Sequence, residues 1–404
     1  MTTADSSPSY ATHPTWRLYQ PFFPEGMRCT PATTPREEWW SWRGLDVHLD
    51  RMDGAADKPK VLVLHGAGAY GRVMAPAAVI AQRYGYETVS PDLPGYGLTR
   101  APSTTLDYGT WIDCVVDLID AELARDGKPI VLFGVSLGGL LAYWAACRSR
   151  KVVGLVATTL ADPRETATRR ELSRHPWLGT AGLSVLNALS FMTDGLPLPM
   201  AYVSKMDGIS NDPALAALCK KDRMGGGSWV PARFLRTLMT TAPAIEPEDF
   251  DLCPVLLAHP GADRMTDIEV SRRFFDRLAA PKRMVVLEGA SHMPTEHPGV
   301  DQLEAAVVAF LGSLGEIRRT GAPAHRRSPR SVHAPRTSRR RGSRKRRGGA
   351  CRRARRRRAG KRRRLHPHRR EGPGRGARDR RWLSRREHPG LDRGQTPPRV
   401  LNRE

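Results

Sequence analysis

A serine, an aspartate and a histidine occur in this chain at positions from which together they could cleave an ester. Ser136 lies in Gly134-Val135-Ser136-Leu137-Gly138, a G-x-S-x-G run directly after the apolar stretch IVLF at 130–133. A serine hydroxyl is a poor nucleophile at its ordinary pKa and needs a base beside it. When the nucleophile sits on a strand-to-helix bend, the acid and the base come later in the chain, in the order Ser, acid, His, each in a loop after a strand. Asp263 in HPGADRMTD and His292 in GASHMPTEHPG meet that order, 127 residues after Ser136 and then 29 further on.

The glycines have a steric purpose. A nucleophile on a sharp bend takes a strained backbone conformation, and side chains at the flanking positions would clash, so Gly134 and Gly138 belong with Ser136. A phosphate-cradling loop is the competing reading, but the G-x-G-x-x-G spacing is absent. Acyl transfer also needs donors for the developing oxyanion. One is expected at the backbone N–H of Leu137. The other is expected at Ala67, in the small-residue loop His65-Gly66-Ala67-Gly68-Ala69-Tyr70-Gly71, with His65, Gly66 and Gly68 as supporting positions. Asp162 in TLADP is the alternative acid; the rival histidine His297 is expected in or near the next helix, and His259 and His175 read as ordinary polar or packing residues.

Short apolar runs have to carry these residues. VLVLHG (61–66), ETVSPD (87–92), IVLFGV (130–135), VVGLVAT (152–158), PVLLAHP (254–260) and RMVVLEG (283–289) read as strands buried on both faces. Helical patterns occupy 107–125, 137–149, 267–280 and 299–314, and alternating strands and helices imply a mostly parallel, doubly wound α/β sheet. Residues 37–52 read as an antiparallel hairpin at its edge. Between Thr158 and Pro254 lie 95 residues, too many for one crossover. Residues 164–245 are therefore expected to form a helical cap inserted into the core, itself 37–163 plus 246–316, after an N-terminal extension at 1–36.

The net charge of +24 over 404 residues suggests a polyanion binder until the chain is divided. Residues 317–404 hold 34 Lys and Arg against 5 Asp and Glu, which leaves 31 against 36 in the rest, a net of −5. The basicity belongs to the tail, whose Arg, Pro, Gly, Ala and His composition predicts disorder. A non-specific polyanion contact is expected of that tail, although such a run is also what a shifted frame in GC-rich coding sequence produces. The six cysteines show no metal-ligand spacing, and the first residues show no signal-peptide pattern. No apolar segment reads as a transmembrane span, so a cytoplasmic location is expected. Neither metal nor cofactor is called for.

HGAG at 65–68, PDLPGYGLT at 91–99, GVSLGG at 134–139, the Asp263 loop and GASHMP together resemble the α/β-hydrolase superfamily over about 61–312. The capped layout and SNDPALAALCKKDRM…PARFLRTL are similar to monoacylglycerol-lipase and lysophospholipase-like serine hydrolases. The resemblance implies Ser136, Asp263 and His292 as a catalytic triad, Ala67 and Leu137 as the oxyanion hole, and Asp92 as a structural turn residue. Pro260, in HPG at 259–261, departs from the HG step common before the acid. A small-molecule acyl ester, acylglycerol- or lysophospholipid-like, is the expected substrate. Peptidases, lactonases, thioesterases and carbon–carbon bond hydrolases share the same three residue types. Serine in place of aspartate at the bend argues against dehalogenase and epoxide-hydrolase chemistry.

Overall fold

The structure of the protein, a computed structural model, describes residues 8–320. Of the expected disordered tail at 317–404, residues 317–320 instead continue the last helix, Gly299–Thr320, and the remainder, with its expected polyanion contact, lies outside the described residues.

The strands are β1 (Arg36–Trp42), β2 (Leu45–Met52), β3 (Lys60–Leu64), β4 (Glu87–Pro91), β5 (Ile130–Gly134), β6 (Val152–Ala157), β7 (Pro197–Pro199), β8 (Trp229–Pro231), β9 (Val255–Pro260) and β10 (Lys282–Leu287). Eight of them form one sheet in the order β1-β2-β4-β3-β5-β6-β9-β10. Pairing is parallel from β4 to β10, while β1 and β2 form an antiparallel hairpin on the β4 edge. Arg43 and Gly44 connect that hairpin with φ of 47° and 80°, the backbone a tight two-residue turn needs to match the twist of its strands.

The helices are α1 (Ala75–Gln82), α2 (Tyr108–Asp126), α3 (Leu137–Ser149), α4 (Thr166–Leu172), α5 (Leu183–Ala188), α6 (Ser190–Thr193), α7 (Met200–Val203), α8 (Pro213–Lys221), α9 (Ala232–Leu238), α10 (Ile268–Arg277) and α11 (Gly299–Thr320). Alternation along the central strands sorts the core into two layers. Leu62, Leu64, Leu132 and Leu257 pack with α2, α3 and α10, whereas Val61, Val63, Val131 and Phe133 pack with α1 and α11. Both faces are therefore covered, which is why these strands carry continuous apolar runs. The chain has an α/β-hydrolase fold, a mostly parallel doubly wound sheet.

Local signals place the helix ends. Asp107 caps α2 by accepting the Thr110 N–H at 2.8 Å, and Gly127 closes the helix with a φ of 70°. Asp267 and Asp212 cap α10 and α8 in the same way.

Two features go beyond the expected elements. The region 164–245 holds α4 to α9 together with a small antiparallel ribbon in which β7 pairs with β8. Residues 8–27, ahead of the first strand, are folded as well. Tyr10, Trp16, Tyr19, Phe23 and Met27 are all buried on the α1 side of the sheet.

Candidate active site

The chain turns at Ser136 from β5 into α3. Ser136 has φ 57° and ψ −129°, a positive-φ conformation that costs a non-glycine residue about 1–3 kcal/mol and persists only where its surroundings enforce it. The enforcement is close packing. A side chain at Gly134 would overlap the Gly138 carbonyl, and one at Gly138 would overlap the Leu64 carbonyl. Ser136 is the N-cap residue of α3, yet its hydroxyl makes no capping bond and is left for other work. Its backbone N–H donates instead to Thr158 Oγ1 at 2.9 Å, and the Thr158 N–H donates to the Gly134 carbonyl at 3.1 Å.

The hydroxyl faces His292. His292 Nε2 lies 2.6 Å from Ser136 Oγ, and His292 Nδ1 lies 2.7 Å from Asp263 Oδ2. The other carboxylate oxygen, Oδ1, accepts the N–H groups of Met265 at 2.8 Å and Thr266 at 2.9 Å. Burial pushes the Asp263 carboxyl up, but the neighbouring His292 and these amide donors outweigh it and hold the group below its ordinary range. An ionised carboxylate at Nδ1 keeps the proton on that nitrogen and leaves Nε2 free to accept from the serine.

The rival residues are occupied elsewhere. Asp162 pairs with Arg164 at 2.6 Å, so the alternative acid does not stand behind the histidine. His297 is exposed and lies 2.6 Å from Asp301, and His175 is exposed too. His259 is fully buried on β9 with Nδ1 2.9 Å from the Pro260 carbonyl, and burial lowers its pKa. Asp92 accepts the N–H groups of Gly71 at 2.7 Å and Leu98 at 2.8 Å, so it holds two loops together.

The loop after β3 closes on the bend. A Cβ added at Gly66 would fall 3.0 Å from Ser136 Cβ and 3.1 Å from the Leu137 nitrogen. This close approach brings the backbone around Ala67 beside the first amides of α3. His65 fixes the loop, with Nδ1 donating to the Gly66 carbonyl at 2.7 Å and Nε2 accepting the Leu93 N–H at 3.0 Å. From the inserted region Met206 and Ile209 lie over Gly68, where an added Cβ would meet either at 2.9 Å.

Above Ser136 opens a cavity of about 490 Å³. Its floor is Ala67, Ser136, Leu137 and His292; its walls come largely from the insertion, among them Leu186, Leu198, Met206 and Leu238. Among the described residues of the lining, Arg169 is the one Lys, Arg, Asp or Glu, and its donors are used on the carbonyls of Pro163, Arg164 and Gly179. Phe191 and Met192 on the outer face of the insertion are 84% and 67% exposed. Among the described residues, no cluster of three or more His, Cys, Asp or Glu could hold a metal ion, and no helix is long and apolar enough to cross a membrane.

Two contributors were not anticipated from the sequence. Thr158 had no motif to mark it; its one signal is its place immediately after β6, one residue past Ala157, which pairs with Gly134 across the sheet. The packing of Tyr10 against Tyr70, in the loop after β3, was invisible because the two lie 60 positions apart.

A doubly wound sheet with a strained serine between a central strand and helix, and a histidine and carboxylate on later loops, defines a class of hydrolases. The sequence pattern of the alpha/beta hydrolase family matches residues 61–305, more than half of the chain, and the protein belongs to that family. It is 25% identical over 279 residues to phospholipase YtpA of Bacillus subtilis, covering 67% of this chain and 98% of that one. Its fold is similar to a soluble variant of monoglyceride lipase from Saccharomyces cerevisiae, with a TM-score of 0.58 and 17% identity over 71% of this chain and 97% of the lipase. The monoacylglycerol lipase of Paleococcus ferrophilus matches with a TM-score of 0.53 and 22% identity over 66% and 99% of the two chains. The protein is a hydrolase of the lipase- and esterase-like kind.

Proposed function

We propose that the protein is a serine carboxylic-ester hydrolase that works through a Ser136–His292–Asp263 triad on an acylglycerol- or lysophospholipid-like substrate. The observation that carries this reading is the unbroken hydrogen-bonded line from Ser136 Oγ through His292 to Asp263, on the floor of an apolar cavity. The Ser136 hydroxyl passes its proton to His292 Nε2 and attacks the ester carbonyl. Amides of Ala67 and Leu137 take the negative charge that develops on the carbonyl oxygen, a contribution of about 3 kcal/mol per donor. His292 returns the proton to the departing alcohol, and a water molecule then releases the acyl group by the same path in reverse. Asp263 orients the imidazole and stabilises its charged form without taking the proton.

The substrate class follows from the walls. The insertion, acting as a cap, offers methionine and leucine side chains and turns its lining arginine, Arg169, onto backbone carbonyls, so the cavity suits a hydrocarbon chain. A small-molecule ester with an apolar acyl group is the partner such a wall selects. The relatives support this choice, being named as a phospholipase and as lipases of monoacylglycerols. The proposed location is the cytoplasm, where Cys29, Cys114, Cys147, Cys219 and Cys253, all free thiols here, would stay reduced.

Replacing Ser136 by alanine tests the reading. Turnover of p-nitrophenyl esters is expected to vanish while circular dichroism stays that of the parent, and turnover near the parent's rate would overturn it. A panel of monoacylglycerols, lysophospholipids, thioesters and aminoacyl amides then ranks the substrate classes.

A further inference from the structure

Residues 8–27 lie outside the span matched by the family pattern, yet they reach the candidate oxyanion loop by two routes, one direct and one through the turn at Asp222. The first route is Tyr10. Its ring stacks on that of Tyr70, with centroids 5.6 Å apart and planes 16° from parallel. Its hydroxyl donates to Asp92 Oδ2 at 2.6 Å, the carboxylate whose Oδ1 accepts the Gly71 N–H. Tyr70 and Gly71 end the same short loop that holds Ala67.

Tyr10 is itself fixed on every side. Its N–H donates to Glu37 at 3.0 Å, and its carbonyl accepts the Trp16 indole N–H at 3.0 Å. The Arg72 guanidinium, paired with Asp50 at 2.6 Å, lies 4.7 Å from the Tyr10 ring centre and 5.0 Å from that of Trp16.

The second route is Tyr19, whose hydroxyl donates to Asp222 Oδ2 at 3.0 Å. Asp222 opens the turn DRMGGGS of the insertion, accepting the Met224 N–H on Oδ1 at 3.0 Å and the Gly227 N–H on its carbonyl at 2.8 Å. That turn presses on the loop from the other side, since a Cβ added at Gly225 would fall 2.7 Å from the Gly68 carbonyl. The turn also reaches the loop after β4, where the Gly97 N–H donates to the Met224 carbonyl at 3.0 Å.

We propose that residues 8–27 form a strap that positions the oxyanion loop, with Tyr10 and Tyr19 as positioning residues acting through Asp92–Tyr70 and Asp222–Gly225. Burial raises both phenols well above their ordinary pKa, with the facing carboxylates adding to it, so each remains a hydroxyl donor throughout the working pH range. A side chain that only filled space would need no hydroxyl here. Both rings instead direct one at a carboxylate that organises loop amides. Displacing catalytic amides by a fraction of an ångström weakens the transition state more than the ground state, so the strap acts on turnover rather than on substrate affinity.

This inference rests on the oxyanion role given above to Ala67 and Leu137. Its test uses the full chain in two variants, Tyr10→Phe/Tyr19→Phe, which keeps both rings and loses both donors, and Tyr10→Leu. With p-nitrophenyl butyrate, kcat is expected to fall about fivefold in the double variant and about tenfold or more in Tyr10→Leu, with KM within twofold of the parent. Affinity for an alkyl boronic acid, whose tetrahedral adduct occupies the oxyanion position, should fall by the same factor as kcat. If Tyr10→Leu does not fold, the double variant decides alone. Unchanged kcat and boronate affinity overturn the strap, whether or not the melting temperature drops, because the segment would then serve stability only. Ser136→Ala is run in the same assay. If it is silent while the strap variants match the parent, the strap fails and the site stands; if it retains turnover, the site itself fails.

Discussion

Asp263 Oδ2 stands 2.7 Å from His292 Nδ1, while Asp263 Oδ1 is tied to the amides of Met265 and Thr266. The carboxylate therefore cannot swing away without breaking two further bonds, and it fixes which ring nitrogen carries the proton. In Asp263→Asn the side-chain amide would donate to Nδ1 and place the proton on Nε2, where it faces the serine hydroxyl. We expect kcat to drop about ten-thousand-fold with the fold intact, measured as ester turnover at neutral pH. A loss smaller than about tenfold would mean that the carboxylate does not hold the tautomer.

Thr158 gives a milder test of the bend. Thr158→Val keeps the shape but leaves the half-buried Ser136 N–H without its acceptor, which costs about 1.4 kcal/mol. A fall in kcat of about tenfold is expected, with Thr158→Ser restoring most of it.

The cavity makes a prediction about chain length. Each methylene that leaves water for the apolar wall contributes about 0.8 kcal/mol, or about fourfold in kcat/KM, until the wall is filled. Leu186→Trp narrows the cavity from the insertion side. It should lower kcat/KM for p-nitrophenyl octanoate about tenfold or more and leave the acetate within twofold, which kinetics over a homologous ester series would read.

His65 sets an acid limit on stability. Burial holds its imidazole down to about 4, against about 6.5 in an unfolded chain. Since the unfolded chain takes the proton first, the stability is complete above pH 6.5, is lost as pH falls toward 4, and levels off below. The loss attributable to His65 between pH 7 and pH 5 is about 2 kcal/mol, measured by urea unfolding, and His65→Gln should remove it.

At the opposite end of the strands Lys60 is fully buried between Glu122 at 2.5 Å and Asp126 at 2.9 Å, with Arg51 sharing Glu122 at 2.6 Å. Lys60→Met strips a cation from this cluster and leaves buried carboxylate charge uncompensated, at a cost of about 3 kcal/mol. Unfolding should report that loss, while kcat at 25 °C stays within twofold, because Ser136 lies beyond the other end of β5.

What could be read from the sequence was whatever is encoded locally. The apolar runs at 61–64, 130–133 and 255–258 mark strands covered on both faces, and the glycines around Ser136 mark a bend with no room for side chains. Asp263 and His292 were singled out because each follows an apolar run, although the run before His292 forms the edge strand β10, exposed at Lys282, Arg283 and Val286 rather than buried on both faces as expected. Asp263 was preferred to Asp162 for its place after the strand at 254–260, whereas its approach to the His292 ring, 29 positions on, is a tertiary fact. The β7–β8 ribbon was missed because three-residue strands carry no periodicity. Tyr10 and Tyr19 gave no signal for the positioning role proposed above, since aromatic residues look alike whether they fill a core or brace a loop.

The proposed mechanism requires one hydroxyl, on a strained bend beside His292, to be an activated nucleophile. Treating the full chain with a fluorophosphonate probe and mapping the adduct by mass spectrometry tests it directly. The expected result is a single stoichiometric adduct on Ser136 that is absent from Ser136→Ala and strongly slowed in His292→Ala. Failure of the folded protein to react, or an adduct on a different residue that survives Ser136→Ala, would contradict it.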